Sequence, residues 1–284
     1  MVFNYRTEKT CEQLDKIQKL REEIIYKANL MVQKARYDLS ITEQRVVSYA
    51  ISQINPRDTA FTEYTLELND LYDICCLKKE SYTELKNIIK KLSDKSWWLT
   101  IEDHNHNGKS CESLVRWFNT LRVNRGTGKI IVKFHEDMFP FLLELHKRYE
   151  EYGDFYTNYK FKFVLPMTRR YSIRLYELLK SYSNNREWFF ELDKLRHLLD
   201  SDTYQRYPDF RVRVLEPAIE EINKYTDILV GYEARKDGRK VSEIVFYIRK
   251  KDKIQEMYAH QAGLTKLEGD VHYWDFIKKE KVKL

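Results

Sequence analysis

With 284 residues, 43% of them hydrophobic and 33% charged, and only 8 Gly and 5 Pro, the chain has the material for two ordinary domains, each with its own core. That composition excludes a disordered polymer and favours a helix-rich globular protein. The net charge of +6 and a pI near 8.8 suit an anionic partner without demanding one, and 21 Tyr and 5 Trp supply packing surface and groove-facing hydroxyls. No apolar run approaches the ~20 residues of a membrane span, and residues 1–16 lack the apolar stretch of a signal peptide, so a cytoplasmic protein with no membrane partner is expected. Cys11, Cys75, Cys76 and Cys111 form no C-x-x-C pair; reduced thiols are expected, with the adjacent Cys75 and Cys76 packed as small apolar residues.

In chain order, Leu14, Ile17 and Ile24 predict an amphipathic helix over 10–27, followed by a linking segment over 28–39. Ser40-Ile41-Thr42-Glu43 is a capping box, which opens a helix to about residue 54 that buries Val47, Ala50, Ile51 and Ile54. Residues 64–68 alternate as a short strand, and Asn69 is expected to cap a helix over Leu71, Ile74 and Cys75. A second helix begins near Ser81 and buries Tyr82, Leu85, Ile89 and Leu92. Strands follow at 97–102, 114–123 and 129–134, the last two joined by a Gly-rich reversal at 124–128, and a helix over 138–149 closes this half.

The same order recurs after residue 160. Val47, Ala50, Ile51 and Ile54 match Leu175, Leu178, Leu179 and Tyr182, each 128 residues later. Tyr64, Leu66, Leu68, Leu71, Ile74 and Cys75 match Trp188, Phe190, Leu192, Leu195, Leu198 and Leu199, each 124 later, and the cap Asn69 matches Asp193. Tyr82, Leu85, Ile89 and Leu92 match Val212, Leu215, Ile219 and Ile222, each 130 later. Loops differ in length while the elements keep phase, which is the mark of an internal repeat. Each half is then a helix-turn-helix followed by an antiparallel hairpin: a winged helix. The fold class expected is α+β, helix-rich, with two tandem winged-helix domains. The expected divisions are an N-terminal helical segment at 1–28, the first domain at 29–152, the second at 153–251 and a basic tail at 252–284 with no role assigned.

In the second half the helical stretch over 204–224 carries Arg206, Arg211 and Arg213 at its front, a pattern suited to a DNA groove as well as to a solvated surface helix. Helical phase sets Arg213 opposite the buried stripe and Arg211 towards its edge, Pro208 suits the first turn, and Pro217 is expected to kink the helix. The second hairpin turns at Asp237-Gly238 with Arg235, Lys236, Arg239 and Lys240 around its tip, a cluster of like charge suited to phosphate contact. In the first half the equivalent segment offers Lys78, Lys79, Ser81, Thr83, Asn87, Lys90 and Lys91, without Arg, which suits backbone anchoring.

The blocks Asn29-Leu30-Met31-Val32-Gln33 through Leu39-Ser40-Ile41-Thr42-Glu43-Gln44-Arg45, Arg174-Leu175-Tyr176-Glu177-Leu178-Leu179, and Tyr204-Gln205-Arg206 with Pro208-Asp209-Phe210-Arg211-Val212-Arg213 resemble the replication initiators of iteron-containing, theta-replicating bacterial plasmids. The resemblance covers roughly residues 29–250. It implies two winged helices that grip successive parts of a directly repeated origin site in double-stranded DNA, opening of adjacent duplex and recruitment of host replication proteins such as helicase and initiator. It also implies a monomer–dimer equilibrium and autorepression at an inverted repeat in the promoter. By the same resemblance Tyr204, Gln205, Arg206, Arg211 and Arg213 are DNA-contact candidates. No cofactor or metal is expected and no enzymatic activity. Two readings stay open beside this one: a dedicated transcriptional repressor, and a rolling-circle nicking enzyme with a metal on His104-Asn105-His106, a stretch whose composition reads as a hairpin turn. Strands 114–123 and 130–134 could supply a dimer edge.

Overall fold

The computed structural model describes residues 18–55, 57–78, 81–102, 110–124, 126–153 and 155–268. Residues 18–22 are helical, but the helix does not reach residue 27. Ile24–Ala28 is strand β1, paired antiparallel with β8 (Tyr156–Lys160), just past the expected division between the halves. The expected linker is likewise structured, as helix α1 (Asn29–Lys34) and the short strand β2 (Ala35–Arg36). Both differences share a cause, since β1 is fixed by a partner more than a hundred residues away and its local pattern also fits a helix.

Helix α2 (Ile41–Ser52) carries the predicted capping box: the Glu43 N–H donates to Ser40 Oγ at 3.3 Å, and the Ser40 N–H to Glu43 Oε2 at 2.7 Å. Next come β3 (Tyr64–Glu67), α3 (Leu68–Ile74) and α4 (Tyr82–Ser93), whose Leu85, Ile89 and Leu92 are buried. Asn69 is not the cap; α3 starts directly from the strand with Glu67 at the cap position, and its counterpart later in the chain starts from Glu191. The expected strand over 114–123 is two strands divided at Trp117: β5 (Ser110–Arg116), paired with β4 (Ser96–Glu102), and β6 (Phe118–Asn124), paired with β7 (Lys129–Phe134). They belong to different sheets, ordered β2-β4-β5 and β3-β7-β6; β5 and β6 are edge strands, whereas β7, the expected strand over 130–134, is central and presents no edge. The closing helix is also divided. Leu143 is extended and Glu144 is left-handed (φ 50°), separating a short turn at Phe139–Leu142 from α5 (Leu145–Tyr152).

The second half repeats the first with α6 (Arg170–Ser181), β9 (Glu187–Glu191), α7 (Leu192–Leu198), a long helical run α8 (Tyr207–Tyr225), and the hairpin β10 (Ile228–Asp237) and β11 (Lys240–Lys250). Leu66 lies opposite Ile130 in the first unit, and Phe190 opposite Ile244 in the second, so the same strand pairing recurs. The repeat reaches the turns. Cys76 (φ 55°) and Asp200 (φ 51°) are both left-handed, and Leu77 N–H to Tyr72 O (2.8 Å) has its equal in Ser201 N–H to Arg196 O (2.9 Å). Each is the 6→1 bond that ends a helix tightly before a turn. Only Cys75 packs as an apolar residue, its thiol pushed up to about 12 by burial; Cys76 is exposed. The expected tail begins as a 16-residue helix, α9 (Lys253–Glu268), which packs against α8 through Ala259 and closes Gly263 onto Pro166.

A buried charge cluster joins β1, the segment before α2, β8 and α6. Glu177 on α6 accepts from Lys27 Nζ (2.5 Å), Tyr37 Oη (2.9 Å) and Tyr159 Oη, with Arg174 Nη1 at 4.0 Å. Burial alone would raise the Glu177 carboxyl, but the charges of Lys27 and Arg174 and the hydrogen bonds from Lys27 and Tyr159 overcome it and hold the group below the usual carboxylate range. Arg174 also donates to the Ala35 and Leu198 carbonyls (2.7 and 3.2 Å), and Arg45 to the carbonyls of Leu165 and Met167 (both 2.7 Å), so the joint satisfies backbone oxygens as well as charges.

Candidate nucleic-acid interface

Helix α8 runs through Tyr207–Phe210, a π-turn at Arg211–Leu215, and Glu216–Tyr225. Pro217 explains the π-turn. It has no N–H to give the Arg213 carbonyl, and the disturbance is taken up just before it, where the Glu216 N–H reaches back to Arg211 O. Dihedrals stay helical through the junction, with Leu215 at φ −71°, ψ −58° and Glu216 at φ −62°, ψ −46°. The expected kink is thus realised as a widened turn in a continuing helix.

The buried side of α8 is Phe210, Val214, Leu215, Ala218, Ile219 and Ile222. Val212, predicted to be buried, is 56% exposed. It forms the middle of an outer arc with Arg211 and Arg213 on either flank, both exposed. Sequence reasoning therefore missed Val212, because Arg-Val-Arg-Val offers two apolar choices and only the packing of Val214 below Phe210 decides between them. An exposed valine between two arginines presents a methyl surface for a thymine methyl and cations for guanine or phosphate.

Arg206 Nε lies 3.9 Å from Asp209 Oδ2, a loose pairing on an exposed side chain, and Arg211 Nε lies 3.6 Å from Glu216 Oε1, which the wide turn brings into reach. Among the described residues Arg213 has no acidic partner. Glu216 also accepts from Tyr232 Oη on β10 at 3.1 Å, and burial followed by that bond pushes the Tyr232 hydroxyl well above its ordinary range. Tyr204 and Gln205 are more committed to the turn. The Tyr204 ring meets Tyr171 edge-on at 6.4 Å, and Gln205 Nε2 donates to Asp202 O at 2.5 Å. Buried Arg196 braces this turn, donating to Asp193 Oδ1 (2.8 Å) and Gln205 O (2.9 Å) with its guanidinium 5.6 Å from the Phe210 ring centre.

The wing turns tightly at Gly238 (φ 60°), and residues 235–240 are all exposed. Arg235 is held by Glu187 at 3.2 Å, whereas Lys236, Arg239 and Lys240 pair with no acid among the described residues. In the first unit Lys78, Thr83, Asn87, Lys90 and Lys91 are exposed, Ser81 is half-buried at the start of α4, and Lys79 lies outside the described residues. Lys86, one turn before Lys90, is exposed as well; the i, i+4 spacing with Lys90 was the signal for it. The two helices differ in how charge runs along them. On α4 the lysines occupy the middle and end, while on α8 the arginines occupy the front and Glu216, Glu220 and Glu221 the remainder.

Among the described residues there is no group of three or more His, Cys, Asp or Glu able to hold a metal ion, and no helix long and apolar enough to cross a membrane. His104 and His106 lie outside the described residues.

The two-unit architecture agrees with two family models: one described as Initiator Replication protein, WH1, matches residues 24–180, and one described as Initiator Rep protein, WH2, matches residues 191–248. The chain belongs to the initiator replication protein family. It therefore consists of two winged-helix domains, as expected from the repeat. A curated relative, the PI protein of Escherichia coli, is 30% identical over 150 residues, which is 47% of each chain, so the match spans about half the length of that relative. Among solved structures, that of the Pi initiator protein in complex with iteron DNA superposes with a TM-score of 0.64 over 82% of this chain and 99% of that one, at 22% identity. At that identity the likeness is one of fold.

Proposed function

We infer that the protein is a plasmid replication initiator that binds double-stranded DNA sequence-specifically through both winged helices. The carrying observation is the outer arc of α8, where Arg213 lacks an acidic partner among the described residues and Val212 stands exposed above a packed rear face. A lone exposed valine or arginine is ordinary on a solvated helix; it is the grouping of Val212 with Arg206, Arg211 and Arg213 at one helix front that suits a groove. The second unit specifies the sequence, through Arg206, Arg211, Val212 and Arg213 in a major groove. The first unit, presenting Lys78, Lys86, Lys90 and Lys91, anchors on the backbone. Two such units in one chain read an asymmetric site, so direct repeats are the natural target; the similar Pi initiator protein is solved in complex with iteron DNA. Duplex opening, recruitment of host helicase and initiator, dimerisation and autorepression belong to the same reading. A domain division near residue 153, with α6 as the first helix of the second unit, belongs to the same reading and is supported by the likeness of α6 to α2.

The test is genetic. The gene with its flanking DNA is placed on a replicon that has no other initiator, and transformants are scored. Maintenance supports initiation; failure to replicate, with repression of the gene's own promoter intact, identifies a dedicated repressor.

A further inference from the structure

Six charged side chains of alternating sign run from the end of α4 to the turn that precedes α8. Lys95, two residues past α4, donates to the Asp38 carbonyl at 2.5 Å and lies 3.7 Å from its carboxylate. Asp38 Oδ1 accepts from Arg170 Nη1 at 2.5 Å, and Arg170 in turn reaches Asp200 O (3.0 Å) and Oδ2 (3.3 Å). Asp200 Oδ1 takes both Nε and Nη2 of Arg36 (3.1 and 2.8 Å), and Arg36 ends on Asp202 at 3.0 Å. Lys95, Asp38 and Arg36 lie on the first-unit side of the division proposed near residue 153, and Arg170, Asp200 and Asp202 on its second-unit side.

Its endpoints are what distinguish this ladder from an ordinary interface. One end follows the outward-facing helix of the first unit, and the other lies in the turn between α7 and α8, where Asp200 is left-handed. Arg36 sits on β2, which pairs with β4, and β4 follows α4 directly, so strand pairing and ion pairs form one path between the two DNA-facing helices. The buried Lys27–Glu177 cluster also ties these segments together, and its Arg174 reaches the Ala35 and Leu198 carbonyls beside this path, but it includes none of the six ladder side chains.

We propose that the ladder is a spacing gauge: it fixes the separation and rotation of α4 relative to the front of α8, so that the protein accepts only one length of duplex between its two contact zones. This rests on the reading that both helices bind DNA. Each added base pair shifts the second zone by about 3.4 Å and turns it by about 34°, beyond what a rigid pair of helices can follow. A gauge made of partly exposed ions is also weakened by salt, since screening acts on such charges more than on buried ones.

The probes are duplexes selected by the wild-type protein from a random-sequence pool, then remade with one or two base pairs inserted or deleted between the two protected zones. The wild type is expected to lose tenfold or more in affinity on a one-pair change. Arg36→Ala and the exposed-site variant Asp38→Asn, both with wild-type melting temperatures, are expected to lose threefold or less, with unchanged affinity for random duplex; Arg36→Lys restores part of the penalty. Variants that keep the full wild-type penalty overturn the proposal, as does a wild type indifferent to spacing. A wild type that selects no sequence overturns the DNA-binding reading beneath it instead.

Discussion

Replacing Glu177 with Gln tests the joint between the units. The side chain is 2% exposed and Lys27 is 4% exposed, and the carboxylate is the counter-charge for Lys27 at 2.5 Å and for Arg174 at 4.0 Å. The amide keeps the shape but removes that charge, and its NH₂ opposes the Lys27 ammonium or the Tyr159 hydroxyl, both of which donate. Removing one partner of a buried pair costs about 3–5 kcal/mol, because the other charge is left desolvated. For a protein of this size that is a fall in melting temperature of roughly 6–20 °C at about 2–4 °C per kcal/mol. The pH dependence has a fixed sign. Glu177 is held below its unfolded value, so its contribution is fully present above the unfolded carboxylate pKa of about 4.3 and is lost as pH falls through the folded value. Urea unfolding of wild type and Glu177→Gln between pH 7 and pH 3 should show the gap closing towards low pH. A loss under about 1 kcal/mol at pH 7, with no change in the pH slope, would refute the argument and mean that water reaches the cluster.

Three further outcomes are expected. Val212→Ala should leave stability unchanged, since the side chain lies outside, and weaken binding to the selected site about 3- to 10-fold with little effect on random duplex; a large drop in melting temperature would return Val212 to the core. The triple change Lys236→Ala, Arg239→Ala and Lys240→Ala should lower the salt slope of binding by roughly 0.9 for each phosphate that is no longer neutralised, and an unchanged slope removes the wing from the interface. Ser40→Ala should cost about 1 kcal/mol of stability by breaking the capping box, measured by chemical denaturation; no change would mean that water replaces the Ser40 hydroxyl.

What the sequence made legible was local or repeated. Leu85, Ile89 and Leu92 and their partners Leu215, Ile219 and Ile222 are all buried, because a 3.6-residue period and a constant offset are visible without any tertiary knowledge. The capping box at Ser40 is legible for the same reason. Elements settled by distant partners were not: β1 waits on β8, and the division of 114–123 at Trp117 follows from two separate sheets claiming its halves. The left-handed pair Cys76 and Asp200 also escaped, since neither is glycine. At the site, the arginines and the wing cations are exposed as their pattern implies, whereas Val212 fits the buried stripe by period and lies outside it, and Lys86 is legible only through its spacing to Lys90. Arg235 belongs to the wing by sequence, yet its pairing with Glu187 ties it to the sheet.

The most direct test of the account is the affinity of wild type and of the Arg206→Ala, Arg211→Ala, Arg213→Ala triple variant for the selected duplex and for random duplex of equal length, at one salt concentration. An arginine that reads a base contributes about 1–3 kcal/mol to discrimination, so the triple variant should lose most of its preference for the selected site while binding random duplex nearly as before. An equal fall on both duplexes would reduce the three arginines to phosphate contacts and contradict the assignment of sequence reading to the front of α8.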